Sequence, residues 1–124
     1  MEPRAVDFVG YTVSDLDRSV AFFRDVLSLK PGLSGDSWAE FDLPNVTISL
    51  FVASDDSAKS SAAGGGAVAI AVPDVPAAVE ELRGKGVPIL MVTMDFPDAC
   101  QTAAIADPDG NRIYLHHRHD GTAG

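Results

Sequence analysis

The chain has 124 residues, 46% of them hydrophobic and 22% charged, which is typical of one globular domain and too short for a multidomain enzyme. The formal net charge of −9 at pH 7 gives a field that repels nucleic-acid phosphates and anionic membrane surfaces. We therefore expect neither nucleic acid nor a membrane as a partner, and no apolar run approaches the roughly 18 residues of a membrane span.

The first predicted module spans residues 4–53. Alternating apolar residues predict a strand over 8–13, and Ser14-Asp15 supplies an N-cap for the helix that follows. That helix is predicted to bury one stripe, formed by Leu16, Val20, Phe23 and Leu27. Pro44-Asn45 has the chemistry of a hairpin turn between two of the later strands. These later strands are predicted over 29–33, 38–43 and 46–52.

Residues 67–82 repeat the pattern of residues 8–23, which predicts a second module over 67–118. Asp74 is the predicted N-cap of its helix, Pro76 suits the first turn, and Gly84 and Gly86 are natural stops. Three strands are predicted after this helix, over 88–93, 101–106 and 112–117. Residues 54–66 are rich in Ser, Ala and Gly and are predicted to be a linker, whereas 119–124 form a tail.

Each module thus has the order β-α-β-β-β, and the predicted fold class is α+β. One module of about 60 residues buries little core by itself, so we expect residues 1–124 to fold as a single domain. Alternation assigns one face of the strands to the helices, namely Val9, Tyr11, Val13, Ile48, Leu50, Val52, Val68, Ile70, Val72, Ile113 and Leu115. The opposite face carries Phe8, Gly10, Thr12, Trp38, Glu40, Thr47, Ser49, Phe51, Ala67, Ala69, Ala71, Tyr114 and His116.

That opposite face mixes small, aromatic and a few polar residues, which is the composition of a ligand-binding surface. The alternative is that the same side chains fill a barrel-like core. For Trp38 the alternative is a hydrophobic anchor beside the hairpin, and for Glu40 it is a solvated carboxylate at the sheet edge.

Two segments carry a resemblance to a known family: the strand-to-helix stretch 13–27, VSDLDRSVAFFRDVL, and the turn 106–111, ADPDGN. With the duplication, they make the chain similar to the vicinal oxygen chelate superfamily of glyoxalase I, extradiol dioxygenases, fosfomycin-resistance enzymes and bleomycin-resistance proteins. The resemblance implies two paired βαβββ modules whose curved sheets surround one cleft. It also implies a homodimer.

Metal-dependent members of this superfamily hold a divalent cation with His or Gln in the first strand of a module and Glu in its last strand. The resemblance places these positions on Phe8, Ser49, Ala67 and Tyr114. Such residues do not supply the carboxylate or imidazole ligands that a divalent ion needs. We therefore predict no metal, no cofactor and no catalytic residue that carries over from the metal-dependent enzymes.

The chain then resembles the metal-free, bleomycin-resistance-like branch, in which an aromatic and electronegative cleft sequesters a cationic or planar compound. The predicted ligand-binding residues are Phe8, Trp38, Glu40, Ser49, Phe51, Ala67, Tyr114 and His116. Aromatic rings would supply stacking and cation–π contacts, and Glu40 the opposite charge.

The only three histidines are His116, His117 and His119. Alternation separates the first two onto opposite faces, and the third lies in the predicted tail, so a shared metal site is not expected. The single cysteine, Cys100, has no basic neighbour in the sequence and is expected to be an inert thiol. One cysteine and no evident secretion signal over residues 1–10 predict a cytoplasmic protein.

Three hypotheses follow for the function. The first is a metal-independent small-molecule-binding protein, of the kind that confers antibiotic resistance by sequestration. The second is a glyoxalase- or dioxygenase-like enzyme, either without a metal and with His116 and Tyr114 as acid–base groups, or with an atypical metal site. The third is an interaction module whose cleft is filled by its own side chains.

Overall fold

The computed structural model describes residues 1–4, 7–52 and 67–124. The chain divides into two compact units, unit 1 over Met1–Ala63 and unit 2 over Gly64–Gly124. The predicted linker 54–66 lies outside the described residues. Each unit contains one four-stranded sheet and one helical segment, so the predicted α+β class and the two βαβββ modules are confirmed.

Unit 1 contains a sheet with the strand order β1-β4-β3-β2. Its elements are β1 (Phe8–Val13), α1 (Leu16–Ala21) continued by a π-helical turn (Phe22–Val26), β2 (Lys30–Ser34), β3 (Trp38–Asp42) and β4 (Thr47–Val52). β1 runs parallel to β4, whereas β4, β3 and β2 are antiparallel neighbours. The predicted hairpin at Pro44-Asn45 is present, with the Leu43 N–H donating to the Val46 carbonyl at 3.0 Å.

The helical segment of unit 1 begins as predicted and ends differently. Asp15 caps α1 by accepting a hydrogen bond from the Arg18 N–H at 3.1 Å. From Phe22 the segment widens into a π turn, in which the Leu27 N–H donates to the Phe22 carbonyl at 3.1 Å. The predicted stripe is correct for Phe23 and only partly buried elsewhere, and the wider turn changes the side-chain period from Phe22 onwards. The buried residues are Ser19, Phe22 and Phe23, whereas Leu16, Val20 and Leu27 are half-buried.

An aromatic cluster holds this helical segment against the sheet. The ring of Phe23, which has no exposed surface, lies 6.3 Å from that of Tyr11, 5.6 Å from that of Phe22 and 5.7 Å from that of Phe41, measured between centroids. Tyr11 comes from β1 and Phe41 from β3, so one side chain links two strands to the helix. Ring pairs at these separations contribute about 0.5–1.5 kcal/mol each beyond the burial of apolar area.

Unit 2 repeats this plan with the strand order β5-β8-β7-β6. Its elements are β5 (Val68–Ala71), α2 (Val75–Gly84), β6 (Ile89–Phe96), β7 (Cys100–Ala106) and β8 (Arg112–Arg118). β6 continues three residues beyond its predicted end at residue 93, because Met94, Asp95 and Phe96 pair with the start of β7. Within the described residues, no helix is long and apolar enough to cross a membrane.

The ends of α2 follow the capping predictions. The Asp74 carboxylate accepts a hydrogen bond from the Ala77 N–H at 2.9 Å, and Pro76 lies in the first turn. At the other end, Gly86 has a φ of 78°, its N–H donates to the Arg83 carbonyl, and the Val87 N–H donates to the Leu82 carbonyl, both at 3.0 Å. These are the two bonds of a Schellman motif, in which glycine adopts the left-handed conformation at little cost.

The turn 107–111 between β7 and β8 is organised by one buried carboxylate. Asp107 Oδ1 accepts hydrogen bonds from the Asp109 N–H at 3.0 Å and the Asn111 N–H at 2.7 Å, and Oδ2 accepts from the Asn111 side-chain amide at 2.9 Å. Asp107 is 3% exposed and Asn111 is 2% exposed. Burial raises the pKa of the Asp107 carboxyl, and the hydrogen bonds from Asn111 and Asp109 oppose that rise.

Candidate functional site

The face of the unit 1 sheet that lies away from its helix carries most of the predicted ligand-binding residues. We call this the open face of unit 1. It is identified by alternation, since Tyr11 and Phe41 contact the helix through Phe23, and Gly10, Thr12 and Glu40 alternate with them along the strands.

Strand register groups the open face of unit 1 into three rows. Each row has one residue from β1, one from β4 and one from β3, and such neighbours project side by side from the sheet. The rows are Phe8–Thr47–Asp42, Gly10–Ser49–Glu40 and Thr12–Phe51–Trp38. Five of the predicted ligand-binding residues, Phe8, Trp38, Glu40, Ser49 and Phe51, are therefore brought together.

Two phenylalanines are the most accessible aromatic groups of this face. Phe8 is 54% exposed and Phe51 is 41% exposed, and their rings lie 6.1 Å apart with an angle of 55° between their planes. Exposed aromatic rings are costly to leave in water, and a tilted pair of them offers two faces to a flat ligand.

The remaining predicted residues of the open face are less accessible. Trp38 and Glu40 are half-buried, and Ser49 is 2% exposed. The Trp38 indole lies over Gly35 at the turn between β2 and β3, where a side chain on Gly35 would collide with it. Phe8 and Phe51 are therefore the side chains of this face that a ligand meets first.

Asp42 is a residue of this face that the sequence reasoning missed. It lies two residues after Glu40 on β3, and its Oδ1 accepts a hydrogen bond from the Thr47 hydroxyl at 3.0 Å. Trp38, Glu40 and Asp42 are two residues apart along β3, so the same alternation that predicts the first two on this face also predicts Asp42 there. The open face of unit 1 thus carries two carboxylates beside its aromatic rings.

Unit 2 holds the other three predicted ligand-binding residues. Tyr114 and His116 are half-buried on β8 and alternate with the buried Ile113 and Leu115, so they share a face. Ala67 is exposed and directly precedes β5. Small residues surround the pair on the neighbouring strands, namely Ala69 and Ala104 beside Tyr114, and Ala71 and Thr102 beside His116.

The Tyr114 ring already has a cation beside it. The guanidinium carbon of Arg112 lies 5.9 Å from the ring centroid, within the range of a cation–π contact, and its Nη1 is 3.5 Å from the Tyr114 hydroxyl. A ligand cation would compete with Arg112 for this ring, whereas Phe8 and Phe51 show no such neighbour among the contacts of the described residues.

Two of the three histidines, His117 and His119, have different partners. His117 Nδ1 lies 3.1 Å from the Val72 carbonyl, and His119 Nε2 lies 2.7 Å from Asp95 Oδ1. β8 ends at Arg118, directly before the predicted tail 119–124, and the backbone N–H of His119 donates one further hydrogen bond to the Ala99 carbonyl at 3.0 Å. Strand pairing likewise gives Cys100 a basic neighbour that the sequence order did not show, since Arg118 lies opposite it.

A model of the glyoxalase/bleomycin resistance protein/dioxygenase superfamily matches residues 5–115. The chain belongs to this superfamily. Among solved structures, it is similar to lactoylglutathione lyase from Agrobacterium tumefaciens, with 22% sequence identity, a TM-score of 0.73, and coverage of 93% of this chain and 94% of that one.

Two further structures have the same fold. UcmS2 is 24% identical, with a TM-score of 0.75 and coverage of 94% of this chain and 98% of that one. TioX from Micromonospora sp. ML1 is 18% identical, with a TM-score of 0.71 and coverage of 91% of this chain and 98% of that one. At these identities, the likeness establishes the fold, and the function has to be argued from the residues of this chain.

The residues of this superfamily member do not fit the divalent metal of its metal-dependent relatives. At the four positions that the family resemblance assigns to the metal, Phe8 and Ala67 have no side-chain atom that can coordinate a metal ion, and Ser49 and Tyr114 offer only hydroxyl groups. Within residues 1–4, 7–52 and 67–124, no three His, Cys, Asp or Glu side chains converge as a metal-binding group would.

Proposed function

We propose that this superfamily member binds a small cationic aromatic molecule without transforming it, as in resistance to an antibiotic by sequestration. The observation that supports the proposal is the exposed Phe8–Phe51 ring pair beside the carboxylates of Glu40 and Asp42 on the open face of unit 1. A flat cation satisfies both features of this surface, because its rings stack on the phenylalanines and its charge faces the carboxylates.

The electrostatics of the whole chain act in the same direction. Its net charge of −9 attracts cations and repels anions before contact. A cation over an aromatic ring gains about 0.5–2 kcal/mol, the larger values applying where water is excluded. Several such contacts give a selective site without any covalent chemistry.

The proposal also keeps Ala67, Tyr114 and His116 of unit 2 as ligand-contacting residues, as the family resemblance implies. Their neighbours on β5 and β7 are small, so that Arg112 is the large side chain with which a ligand would compete for the Tyr114 ring. We further propose a cytoplasmic location, which the single cysteine supports.

The only tryptophan of the chain makes the binding prediction measurable. We expect proflavine, a flat cationic dye, to quench Trp38 fluorescence, and Glu40→Gln to weaken its binding about tenfold, since about 1.4 kcal/mol of charge attraction is lost. Trp38→Ala, followed by equilibrium dialysis with proflavine and with bleomycin, should also weaken binding. Asp98→Asn removes an equal charge from an exposed turn of unit 2 and is the matched control.

Equal affinity of the wild-type, Glu40→Gln and Trp38→Ala proteins would contradict the roles assigned to these residues. Tight binding of an anionic ring compound such as anthraquinone-2-sulfonate would contradict the class of ligand.

The second candidate function is a lyase- or dioxygenase-like enzyme, favoured by the placement of Tyr114 and His116 on one face of β8. A hydroxyl and an imidazole two residues apart in a strand lie on the same side and can exchange protons with one substrate. One equivalent of bound Ni, Zn, Fe or Mn in untagged protein, together with turnover of the hemithioacetal of methylglyoxal and glutathione, would favour this function over sequestration.

For assembly, we propose a homodimer in which β6 contacts a second copy of the chain. β6 is an edge strand with four exposed apolar side chains, Leu90, Val92, Met94 and Phe96. Its one charged residue, Asp95, is engaged by His119, so two acidic chains can meet there without opposing free carboxylates. The edge strand β2 of unit 1 instead carries Lys30 and Pro31, which discourage strand pairing.

Val92→Asp is expected to convert the dimer to a monomer in sedimentation equilibrium, because a charge placed in an apolar contact must lose its water. Ala77→Asp adds the same charge to an exposed position in the first turn of α2, where it suits the helix, and should leave the dimer intact. A monomeric wild-type protein, or a Val92→Asp variant that stays dimeric, would contradict the assignment.

A further inference from the structure

Gly10 occupies the middle of β1, between two residues whose side chains lie on the open face of unit 1. Alternation places Phe8, Gly10 and Thr12 on that face, and Gly10 is the only one of the three without a side chain. The φ of Gly10 is not in the left-handed region that favours glycine. The backbone conformation therefore does not require glycine at position 10, and the neighbouring side chains explain why a glycine stands there.

The Phe51 ring provides that reason. A Cβ atom built on Gly10 would lie 3.2 Å from Cε2 of Phe51 and 3.8 Å from Cε2 of Phe8. The first distance is shorter than the roughly 3.5–4.0 Å at which two carbon atoms attract best. Phe51 is in register with Thr12 and not with Gly10. Its ring must therefore lean along the sheet to lie over Gly10 and near Phe8. The 6.1 Å separation of the two rings depends on this lean.

The row that contains Gly10 also sets a direction for a bound molecule. It runs from Gly10 through Ser49 to Glu40, across three neighbouring strands. Two strand spacings amount to about 10 Å. The two rings flank one end of this row, and the Glu40 carboxylate stands at the other.

We propose that Gly10 is a positioning residue for the Phe8–Phe51 pair and that the ligand is an elongated planar cation lying along this row. Its rings cover Phe8 and Phe51, and its charged group faces Glu40. The inference rests on the proposed function, which it deepens by naming the shape of the ligand and a residue that sets specificity. A methyl group at position 10 pushes the Phe51 ring a few tenths of an ångström away from Phe8 and leaves Glu40 in place.

The test compares two cations by isothermal titration calorimetry: proflavine, which is flat and aromatic, and hexane-1,6-diamine, which has no ring. Gly10→Ala is expected to weaken proflavine binding about fivefold, the worth of part of an aromatic contact, and to leave the affinity for the diamine unchanged. Glu40→Gln should weaken the binding of both. Gly84→Ala is the matched control, because nothing lies within 4 Å of a Cβ at that position.

A double-mutant cycle shows whether Gly10 acts through Phe51. Once Phe51→Leu has removed the ring, adding Gly10→Ala should change proflavine affinity less than twofold. If the two substitutions weaken proflavine binding by factors that multiply in the double variant, the positioning role is overturned. A Gly10→Ala protein that binds proflavine as tightly as the wild type overturns it as well. If Gly10→Ala does not fold, as judged by its thermal melt, Phe8→Leu tests the same pair and must lower the preference for proflavine over the diamine.

The failure of this inference is distinguishable from that of the proposed function. A wild-type protein that binds neither cation overturns both. A wild-type protein that binds proflavine, with Gly10→Ala indistinguishable from it, overturns the role of Gly10 alone.

Discussion

Phe23→Ala is expected to lower the free energy of unfolding by about 3–5 kcal/mol, the usual cost of removing a fully buried phenylalanine ring. Phe23 has no exposed surface, and its ring contacts those of Tyr11, Phe22 and Phe41. The substitution leaves a cavity where two strands and the helical segment of unit 1 meet. Urea denaturation followed by circular dichroism measures the loss.

Phe8→Ala is the matched control, because the same ring is removed from a position that is 54% exposed. Its effect should stay within about 0.5 kcal/mol. If Phe23→Ala is too unstable to purify, Phe23→Leu should show a smaller loss of about 1–2 kcal/mol. Similar losses for Phe8→Ala and Phe23→Ala would mean that the aromatic cluster does not hold the helical segment to the sheet.

Asp107→Ala is expected to lower the free energy of unfolding by about 2–3 kcal/mol. The substitution removes the acceptor of three N–H groups, two of which belong to the buried Asn111. Those groups lose a charge-assisted hydrogen bond without regaining full contact with water. Urea denaturation at neutral pH measures the effect, and Asp109→Ala, in the same turn, is the comparison. An equal or greater loss for Asp109→Ala would contradict the central role of Asp107.

Asp107 is also expected to contribute less to the stability of the folded protein as the pH rises. The pKa of Asp107 is raised in the folded protein, mainly by burial, so the folded state holds its proton more tightly than the unfolded chain does. The contribution of this group to stability is therefore fully present below its ordinary value of 3.8 and is lost as the pH rises through the folded pKa. The stability of the wild type relative to Asp107→Asn, which does not titrate, should fall over that range.

Urea titrations of both proteins at several acid pH values measure this difference, in which the contributions of the other titrating groups cancel. If the free energy of unfolding of the wild type, relative to that of Asp107→Asn, instead rises with pH, the hydrogen bonds from Asn111 and Asp109 outweigh burial and lower the pKa of Asp107.

Much of the fold was predictable because the signals that define it are local. Asp15 and Asp74 cap their helices because a carboxylate can reach an N–H group three residues later. Gly86 ends α2 because a left-handed residue is needed there. Strand alternation put Phe8, Trp38, Glu40, Ser49 and Phe51 on one face, and the register of β1, β4 and β3 agrees with it.

Other features lay beyond sequence reasoning because they depend on contacts between distant residues. The π turn at Phe22–Val26 interrupts the expected helical stripe, and a period of 3.6 carries no sign of it. His119 pairs with Asp95, which is far away in the sequence, and Arg118 faces Cys100 only after β7 and β8 have paired. The cation–π contact of Arg112 with Tyr114 likewise appears only in the structure.

Residue type and spacing predict the two βαβββ modules, the capped helices and the acidic charge, and the family resemblance adds that no carboxylate or imidazole stands at its four metal positions. These are properties of residue type and spacing, which hold before the chain folds. Two features become visible only in the folded chain: the Phe51 ring leans over Gly10 towards Phe8, and the Trp38 indole turns towards Gly35. The direction in which a side chain leans is set by the space that its neighbours across the sheet leave open, and alternation along one strand carries no information about that space.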